Sequence, residues 1–186
     1  MDGEYTKGVP NTWPAVGQHL KQTVGYSFPG LSSVSQSFLG KRATIAVATC
    51  LVDNFDEQAS ICSVPVKVMA GIVFAELTNS DALKHDFEQL AQAFGVAQEE
   101  REALRQVAQN PCGTPLPGVL GSKDALTQAY VQLGRAIAPS PAEVSPELVD
   151  ELRTAGAQPQ GVVELVNFMA LSQLLLRLDA FYPANR

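Results

Sequence analysis

The chain has 186 residues and a mass of 19.8 kDa, enough for one domain of ordinary size. Hydrophobic residues make up 46% of it and charged residues 17%, a globular composition that excludes disorder as the main state. Nucleic acids and anionic membranes require a basic face, which a chain with a net charge of −6 lacks, so we expect neither as a partner.

Residues 1–30 are predicted to form an irregular N-terminal arm with a short helix near residues 15–23. The arm contains prolines that interrupt regular helix, in Val9-Pro10, Trp13-Pro14 and Phe28-Pro29-Gly30. Residues 31–186 are predicted to form a single all-α domain, because no alternating run bounded by a hairpin turn occurs in them.

The first half of this domain is predicted to contain four helices. The apolar segment that ends near Asn54 gives the first of them, and Pro65 opens the second, which runs to about Leu77. The turn Thr78-Asn79-Ser80 supplies cap residues for a third helix, and Gly95 suits the left-handed position that ends it. A short charged helix follows over residues 97–109.

The second half begins with the most linker-like segment of the chain, residues 110–121, which contain three prolines and three glycines. Ser122 is expected to cap a helix over residues 123–138. Helix starts are also predicted at Ser140-Pro141 and at Ser145-Pro146, the second giving a helix that ends before Gly156. With a last helix over 161–182, the total is seven or eight helices.

The last helix is apolar on nearly every face, which is typical of a helix that lies at the centre of a fold or between subunits. Its large polar residues are Glu164, Asn167, Gln173 and Arg177. Glu164 and Arg177 lie on opposite faces, so they cannot pair with each other within the helix. Each is expected to brace a helix junction or a subunit contact, since a buried charge needs a partner.

The cysteine and histidine content argues against a disulfide framework and against a histidine-based metal site. Cys50, Cys62 and Cys112 are odd in number and form no C-x-x-C, so free thiols in a cytoplasmic protein are expected. The two histidines, His19 and His85, lie far apart in sequence. No cofactor motif is present. The acidic start does not resemble a signal peptide, and the longest apolar run, 43–52, is too short to span a bilayer.

Three elements in the second half resemble, in order and spacing, the carboxymuconolactone decarboxylase-like and alkylhydroperoxidase D-like superfamily. They are Leu133 to Pro139, Val149 to Gly156, and Val162-Val163-Glu164-Leu165-Val166 followed by Arg177-Leu178. The resemblance covers about residues 64–183 and is strongest from residue 122 onward. It implies an alkylhydroperoxidase D-like helical fold and, by the habit of that superfamily, a homo-oligomer.

In that superfamily a helix pair carries a relay of one Glu, a C-x-x-C pair and one His, which seven further residues separate from a Gly. Aligning that Gly with Gly95 puts Phe87 at the His position, Leu83 and Ser80 at the Cys positions, and Val68 at the Glu position. Aligning it instead with Gly71 moves the motif over residues 56–63, where Cys62 lies near a cysteine position. Neither alignment gives a C-x-x-C, so the dithiol chemistry of the peroxidases is not expected.

The resemblance leaves three functions open. The first is a divergent member without dithiol peroxidase activity, which keeps a pocket for a small apolar or carboxylate ligand or only an oligomer or partner role. The second is an active enzyme, either a one-cysteine antioxidant peroxidase using Cys62 or a decarboxylase-type enzyme using His85 with Glu76 or Asp81. The third is an unrelated helical interaction module. Against the decarboxylase reading, Asp81, Lys84, His85 and Glu88 have the spacing of a solvated helix face.

Overall fold

The structure is a computed structural model that describes residues 13–25, 41–58, 60–110, 114–116, 118–139 and 142–181. These residues form nine α-helices and no strand, which confirms the all-α fold and exceeds the predicted number of helices by one or two. The helices are α1 (Trp13–Val24), α2 (Lys41–Phe55), α3 (Val64–Leu77), α4 (Asp81–Ala93), α5 (Gln98–Gln109), α6 (Gly118–Gly121), α7 (Ala125–Ile137), α8 (Pro146–Thr154) and α9 (Pro159–Phe181).

α3 lies at the centre of the helical core and packs against α4, α5, α7 and α9. Its side chains are buried on all sides between Val64 and Ala75, as expected for a helix that is apolar all round. The contact with α7 is unusually close, because a Cβ atom on Gly134 would lie 2.5 Å from the Cβ of Ala70. Gly134 therefore sets the distance between these two helices.

Two of the predicted helix ends are confirmed by glycines in the left-handed region. α4 ends at Ala93, and Gly95 follows with φ of 74°. α8 ends at Thr154, and Gly156 follows with φ of 85°. Glycine adopts this conformation without the steric cost that a Cβ atom brings, so it closes a helix cleanly.

Two predicted helix starts are wrong in the second half. Asp124, not Ser122, caps α7, because its carboxylate accepts hydrogen bonds from both the backbone N–H (2.9 Å) and the hydroxyl (2.8 Å) of Thr127. These bonds, the backbone one first, lower the pKa of Asp124. Residues 142–145 are not helical, so no helix forms ahead of the one that Ser145 caps at Pro146.

The predicted linker is also more ordered than expected, since residues 118–121 form the short helix α6. Leu120 of that helix is buried in the core. The short helix predicted in the N-terminal arm corresponds to α1. Three predicted features lie outside the described residues: the rest of the N-terminal arm, Cys112, and the helix start at Ser140-Pro141.

None of the helices in the described ranges combines the length and the hydropathy that a membrane-spanning segment needs.

Candidate functional site

The four positions that the alignment on Gly95 assigns to the relay are buried, one in the first half of α3 and three in α4 and the turn before it. Ser80 caps α4, where its hydroxyl accepts a hydrogen bond from the backbone N–H of Leu83 at 3.3 Å. Leu83, Phe87 and Val68 are almost fully buried, at 0%, 1% and 0% exposure. None of these side chains is a thiol, a carboxylate or an imidazole. This part of the core contains no nucleophile stronger than a serine hydroxyl, which a helix N–H already occupies.

Phe87, which the alignment on Gly95 sets at the histidine position, is part of an aromatic cluster. Its ring meets the ring of Phe168 on α9 edge-on at a centroid distance of 5.7 Å, and Phe168 meets Phe55 at 6.0 Å. A Cβ atom on Gly71 would lie 2.6 Å from the Phe87 ring. The space that an active-site imidazole would need is therefore filled by packed hydrocarbon, which contributes to stability rather than to chemistry.

The remaining predicted catalytic residues lie at the surface of α3 and α4. Asp81 and His85 are exposed. Glu76 forms ion pairs with Lys84 at 3.4 Å and with Arg105 at 4.0 Å. The structure thus places His85 and Asp81 on the solvated face that the spacing indicated.

Cys62 lies far from these residues, just before the first turn of α3. Its side chain is fully buried, and burial raises the pKa of its thiol to about 12, with Lys67 opposing the shift and Glu164 adding to it. At pH 7 only about one such thiol in 100,000 is ionised, which leaves almost no thiolate for attack on a peroxide. The structure does not bring Cys62 together with His85, Glu76 or Asp81.

Next to Cys62 lies an ion pair between a buried lysine and a half-buried glutamate, which the sequence did not predict. The ammonium group of Lys67 on α3, only 1% exposed, lies 3.3 Å from the Glu164 carboxylate on α9. It also donates to the hydroxyl of Ser60 at 3.0 Å and to the backbone carbonyl of Asn54 at 3.3 Å. An ammonium group has three N–H donors, so these three acceptors satisfy it completely.

Glu164 fixes the chain that leads into α3. Its carboxylate accepts hydrogen bonds from the backbone N–H of Ile61 at 3.0 and 3.1 Å and from that of Cys62 at 3.0 Å. We call this arrangement, with Lys67, the Glu164 clamp. Glu164 therefore braces a helix junction, as the sequence suggested, and Lys67 is its partner.

Tyr130 on α7 also lies beside Cys62 and the Glu164 clamp, which belong to the start of α3 and to α9. Burial raises the pKa of its phenol, and the charges of Cys62 and Glu164 raise it further. A Cβ atom on Gly161 would collide with the Tyr130 hydroxyl, so a larger residue at that point of α9 would require the tyrosine ring to move. The residues around Cys62 are thus packed against one another, and their polar groups serve to hold α3 and α9 together.

The opposite end of α3 opens into a cleft of about 330 Å³ between the C-terminal ends of α3 and α7 and the C-terminal part of α9. We call it the α9 cleft. Its walls are mostly apolar, formed by Phe74, Leu77, Ala138, Pro139 and Leu176. Its polar lining groups are Thr78, Gln173 and Arg177. With α3 about 21 Å long, the α9 cleft and Cys62 lie at opposite ends of the core.

Arg177 is the one charged residue among those that line the α9 cleft. It is exposed, and no ion pair joins it to any residue of the described chain. The amide of Gln173 is held only loosely, at 3.5 Å from the carbonyl of Ile137. The carbonyl of Phe74 at the end of α3 accepts from the hydroxyl of Thr78 at 2.9 Å. The cleft can therefore offer an apolar wall and a cation with free donors.

Metal binding finds no support in the described ranges, where no group of three or more His, Cys, Asp or Glu side chains could hold an ion.

Two solved structures share the fold of this chain. A cysteine-to-alanine variant of the debrominase Bmp8, in complex with 2,3,4-tribromopyrrole, superposes with a TM-score of 0.70 and 15% identity, over 92% of this chain and 83% of that one. The ligand-free debrominase Bmp8 superposes with a TM-score of 0.67 and 16% identity, over 93% of this chain and 84% of that one. Both share the all-α carboxymuconolactone decarboxylase-like fold.

Comparison by sequence adds no relative. No protein-family model matches the chain. No curated protein matches it either.

Proposed function

We propose that this protein is a divergent member of the carboxymuconolactone decarboxylase-like superfamily that binds a small apolar anion in the α9 cleft and has no dithiol peroxidase activity. The sequence resemblance from residue 122 onward and the fold shared with Bmp8 both support membership of the superfamily. They also favour this proposal over an unrelated helical interaction module, which would have no reason to superpose over nine-tenths of its length.

The proposed absence of dithiol chemistry is supported by the side chains at the matching positions. A dithiol peroxidase needs one thiolate to attack the peroxide and a second thiol to resolve the sulfenic acid. The first alignment gives Ser80 and Leu83 instead, and the hydroxyl of Ser80 caps α4. Neither side chain can store electrons, so the proposed role is binding.

The ligand class rests on one observation, the free guanidinium of Arg177 beside apolar walls. A guanidinium can donate two parallel hydrogen bonds to a carboxylate, and no protein carboxylate in the described chain occupies it. Phe74 and Leu176 provide the hydrophobic surface that an aromatic or aliphatic body would cover. A small carboxylate or another acidic, apolar compound fits both requirements. The cysteine-to-alanine variant of Bmp8, which shares the fold, is solved in complex with 2,3,4-tribromopyrrole.

The test is calorimetric titration with benzoate and with 2,3,4-tribromopyrrole. We expect at least one of them to bind the wild type and to lose at least tenfold in affinity in Arg177→Leu. Arg153→Leu is the matched control, because Arg153 is 77% exposed, pairs only with neighbouring Asp150 and does not line the cleft. Absence of binding by the wild type, or equal affinity in Arg177→Leu, would contradict the proposal.

The second candidate function is an active enzyme of the same superfamily, and it is tested separately. It would use Cys62 for one-cysteine peroxide reduction, or His85 with a neighbouring carboxylate for decarboxylase-type chemistry. With the thiol buried and its pKa near 12, we expect organic-hydroperoxide consumption with a dithiol reductant to stay at the buffer rate. Turnover that vanishes in Cys62→Ser would instead make Cys62 the nucleophile and restore an antioxidant role.

We also propose that the protein is a homo-oligomer located in the cytoplasm. The oligomer proposal is supported by the large apolar side chains of α9 that face solvent in a single chain, including Val163 at 57% exposure. The cytoplasmic proposal is supported by Cys50 and Cys62, which are free thiols. Light scattering at micromolar concentration measures the first, and a single-chain mass would contradict it.

A further inference from the structure

The α9 cleft contains a polar group at the end of α3 whose hydrogen-bonding state restricts what it can bind. The hydroxyl of Thr78, which lines the cleft, donates to the carbonyl of Phe74 at 2.9 Å, and the carbonyl of Ala75 lies at 3.4 Å as a weaker second acceptor. A hydroxyl carries one O–H donor and two acceptor lone pairs. Because its hydrogen is committed to the backbone, Thr78 offers a ligand an acceptor and no donor.

Gln173, one helical turn before Arg177 on the same face of α9, offers an acceptor as well. Its Nε2 atom is the one that faces a protein acceptor, the carbonyl of Ile137 at 3.5 Å. No group of the described chain donates to its Oε1 atom. The amide oxygen of Gln173 is therefore available to a hydrogen-bond donor of a ligand.

Two helix C-termini add to this acceptor character. α3 ends at Leu77 and α7 at Ile137, and the cleft is lined by Leu77 and by the two residues that follow Ile137. The last carbonyls of a helix carry partial negative charge, which attracts N–H and O–H groups and repels anions. No basic residue lies in the last turn of α3, and Arg135 in the last turn of α7 is buried and does not line the cleft.

The backbone at these helix ends has no spare donor for an anion. The N–H of Thr78 donates to the carbonyl of Phe74 at 2.9 Å, and the N–H of Ala138 donates to that of Gly134 at 3.1 Å. Pro139 has no N–H. Free donors in the described lining of the cleft are thus confined to Arg177, whereas the ends of α3 and α7 provide acceptors.

We infer that the ligand of the α9 cleft is an apolar carboxylate that also carries a separate hydroxyl or N–H donor, such as a hydroxy-substituted aromatic acid. Its carboxylate would pair with Arg177, and its donor would bind Oγ1 of Thr78 or Oε1 of Gln173. An acid without such a donor leaves both acceptors unpaired where the ligand displaces water. This inference rests on the proposed function and narrows its ligand class.

Calorimetric titration with matched pairs of ligands tests the need for a donor. The pairs are 3-hydroxybenzoate with 3-fluorobenzoate and 4-hydroxybenzoate with 4-fluorobenzoate, because fluorine is close to a hydroxyl in size but has no hydrogen to donate. In at least one pair we expect the wild type to bind the hydroxy compound about threefold or more tightly than the fluoro compound. Equal affinities within both pairs would overturn the inference.

The variant Thr78→Val/Gln173→Met tests the two acceptors, since it removes both and nearly preserves the size of each side chain. We expect it to abolish the preference for the hydroxy compound and to keep the affinity for the fluoro compound within about twofold. Damage to the shape of the cleft would weaken both compounds alike. The end of α3 keeps its backbone hydrogen bond from residue 78 to the carbonyl of Phe74. Thr154→Val, at an exposed position on α8, is the control and should retain the preference.

The same titrations separate failure of this inference from failure of the proposed function. Binding of the fluoro and hydroxy compounds with equal affinity, weakened in Arg177→Leu, would overturn the need for a donor and leave the proposed binding of an apolar anion in place. A preference that survives in Thr78→Val/Gln173→Met would likewise overturn this inference alone. No binding of any of these acids, of benzoate or of 2,3,4-tribromopyrrole would overturn both proposals.

Discussion

Lys67 and Glu164 are expected to contribute unequally to stability, so substituting each of them should change the free energy of unfolding by a different amount. Glu164→Gln leaves the ammonium of Lys67 buried without its counter-charge, so we expect a loss of about 2 kcal/mol in the free energy of unfolding. Lys67→Met removes the buried charge and leaves Glu164 its backbone N–H donors, so we expect a value within about 1 kcal/mol of the wild type. Urea unfolding measures both.

The control for this comparison is Glu151→Gln, which changes an exposed carboxylate on α8 and should leave the unfolding midpoint unchanged. If Lys67→Met proved as damaging as Glu164→Gln, the ammonium itself would be stabilising, and the clamp would owe its strength to charge attraction rather than to the backbone hydrogen bonds.

Burial of Cys62 should make the free energy of unfolding depend on pH above pH 9. Its thiol has a pKa of about 12 in the folded chain, against 9.0 for the ordinary group, so between these values the folded state holds a proton that the unfolded state has lost. The contribution of Cys62 to stability is therefore expected to fall as pH rises above 9, by up to about 1.4 kcal/mol per pH unit. Below pH 9 this contribution is fully present.

Comparison of the wild type with Cys62→Ala isolates this effect, because the cavity left by alanine costs the same at every pH. Urea unfolding at pH 8, 9 and 10 should show the two proteins converging in stability as the pH increases. Parallel curves would mean that the thiol ionises in the folded protein, which would reopen the case for a reactive Cys62.

Among the helices, the contact between α3 and α7 is the one most sensitive to a single methyl group. Gly134→Ala would place its Cβ against Ala70, and α3 is held on its other sides by α4, α5 and α9. We expect a loss of about 1–3 kcal/mol in the free energy of unfolding. The rescue variant Gly134→Ala/Ala70→Gly removes the opposing methyl group and should recover part of that loss. Failure to do so would show that the new Cβ atom conflicts with the backbone of residue 70, whose Cα lies 3.3 Å away, rather than with its methyl group.

Helix positions were largely predictable from the sequence, because caps, prolines and terminal glycines act locally. α3 begins at Val64 with Pro65 in its first turn, and α4 ends at Ala93, shortly before Gly95, as the proline and the glycine indicate. The error at Ser122 arose between two competing local acceptors, and Asp124 prevailed because its carboxylate binds two groups of Thr127.

The sites were less predictable, because they depend on which distant residues meet. Lys67 is the one charged residue in the apolar run from Val64 to Ala75, a signal that could have identified it as a buried ion-pair partner. Nothing local, however, shows that its partner is Glu164. The α9 cleft draws on three helices, and Arg177 becomes noticeable only once Phe74 and Leu176 are seen beside it.

Over the whole molecule, the two ends of α9 have different roles. Near its start Glu164 is committed to the clamp, and near its end Arg177 is free beside the α9 cleft. The fold thus separates the polar group that stabilises the core from the polar group available to a ligand.

The Glu164 clamp also has a consequence for folding of the chain during its synthesis on the ribosome. Glu164 binds the backbone N–H of Ile61, which is translated 103 residues earlier. At roughly 5 to 20 residues per second, the nascent chain carries α3 for about 5 to 20 seconds before the carboxylate that secures it exists. During that interval the most apolar helix of the protein bears an ammonium group without its counter-charge. Completion of the native core must therefore wait until α9 has been translated.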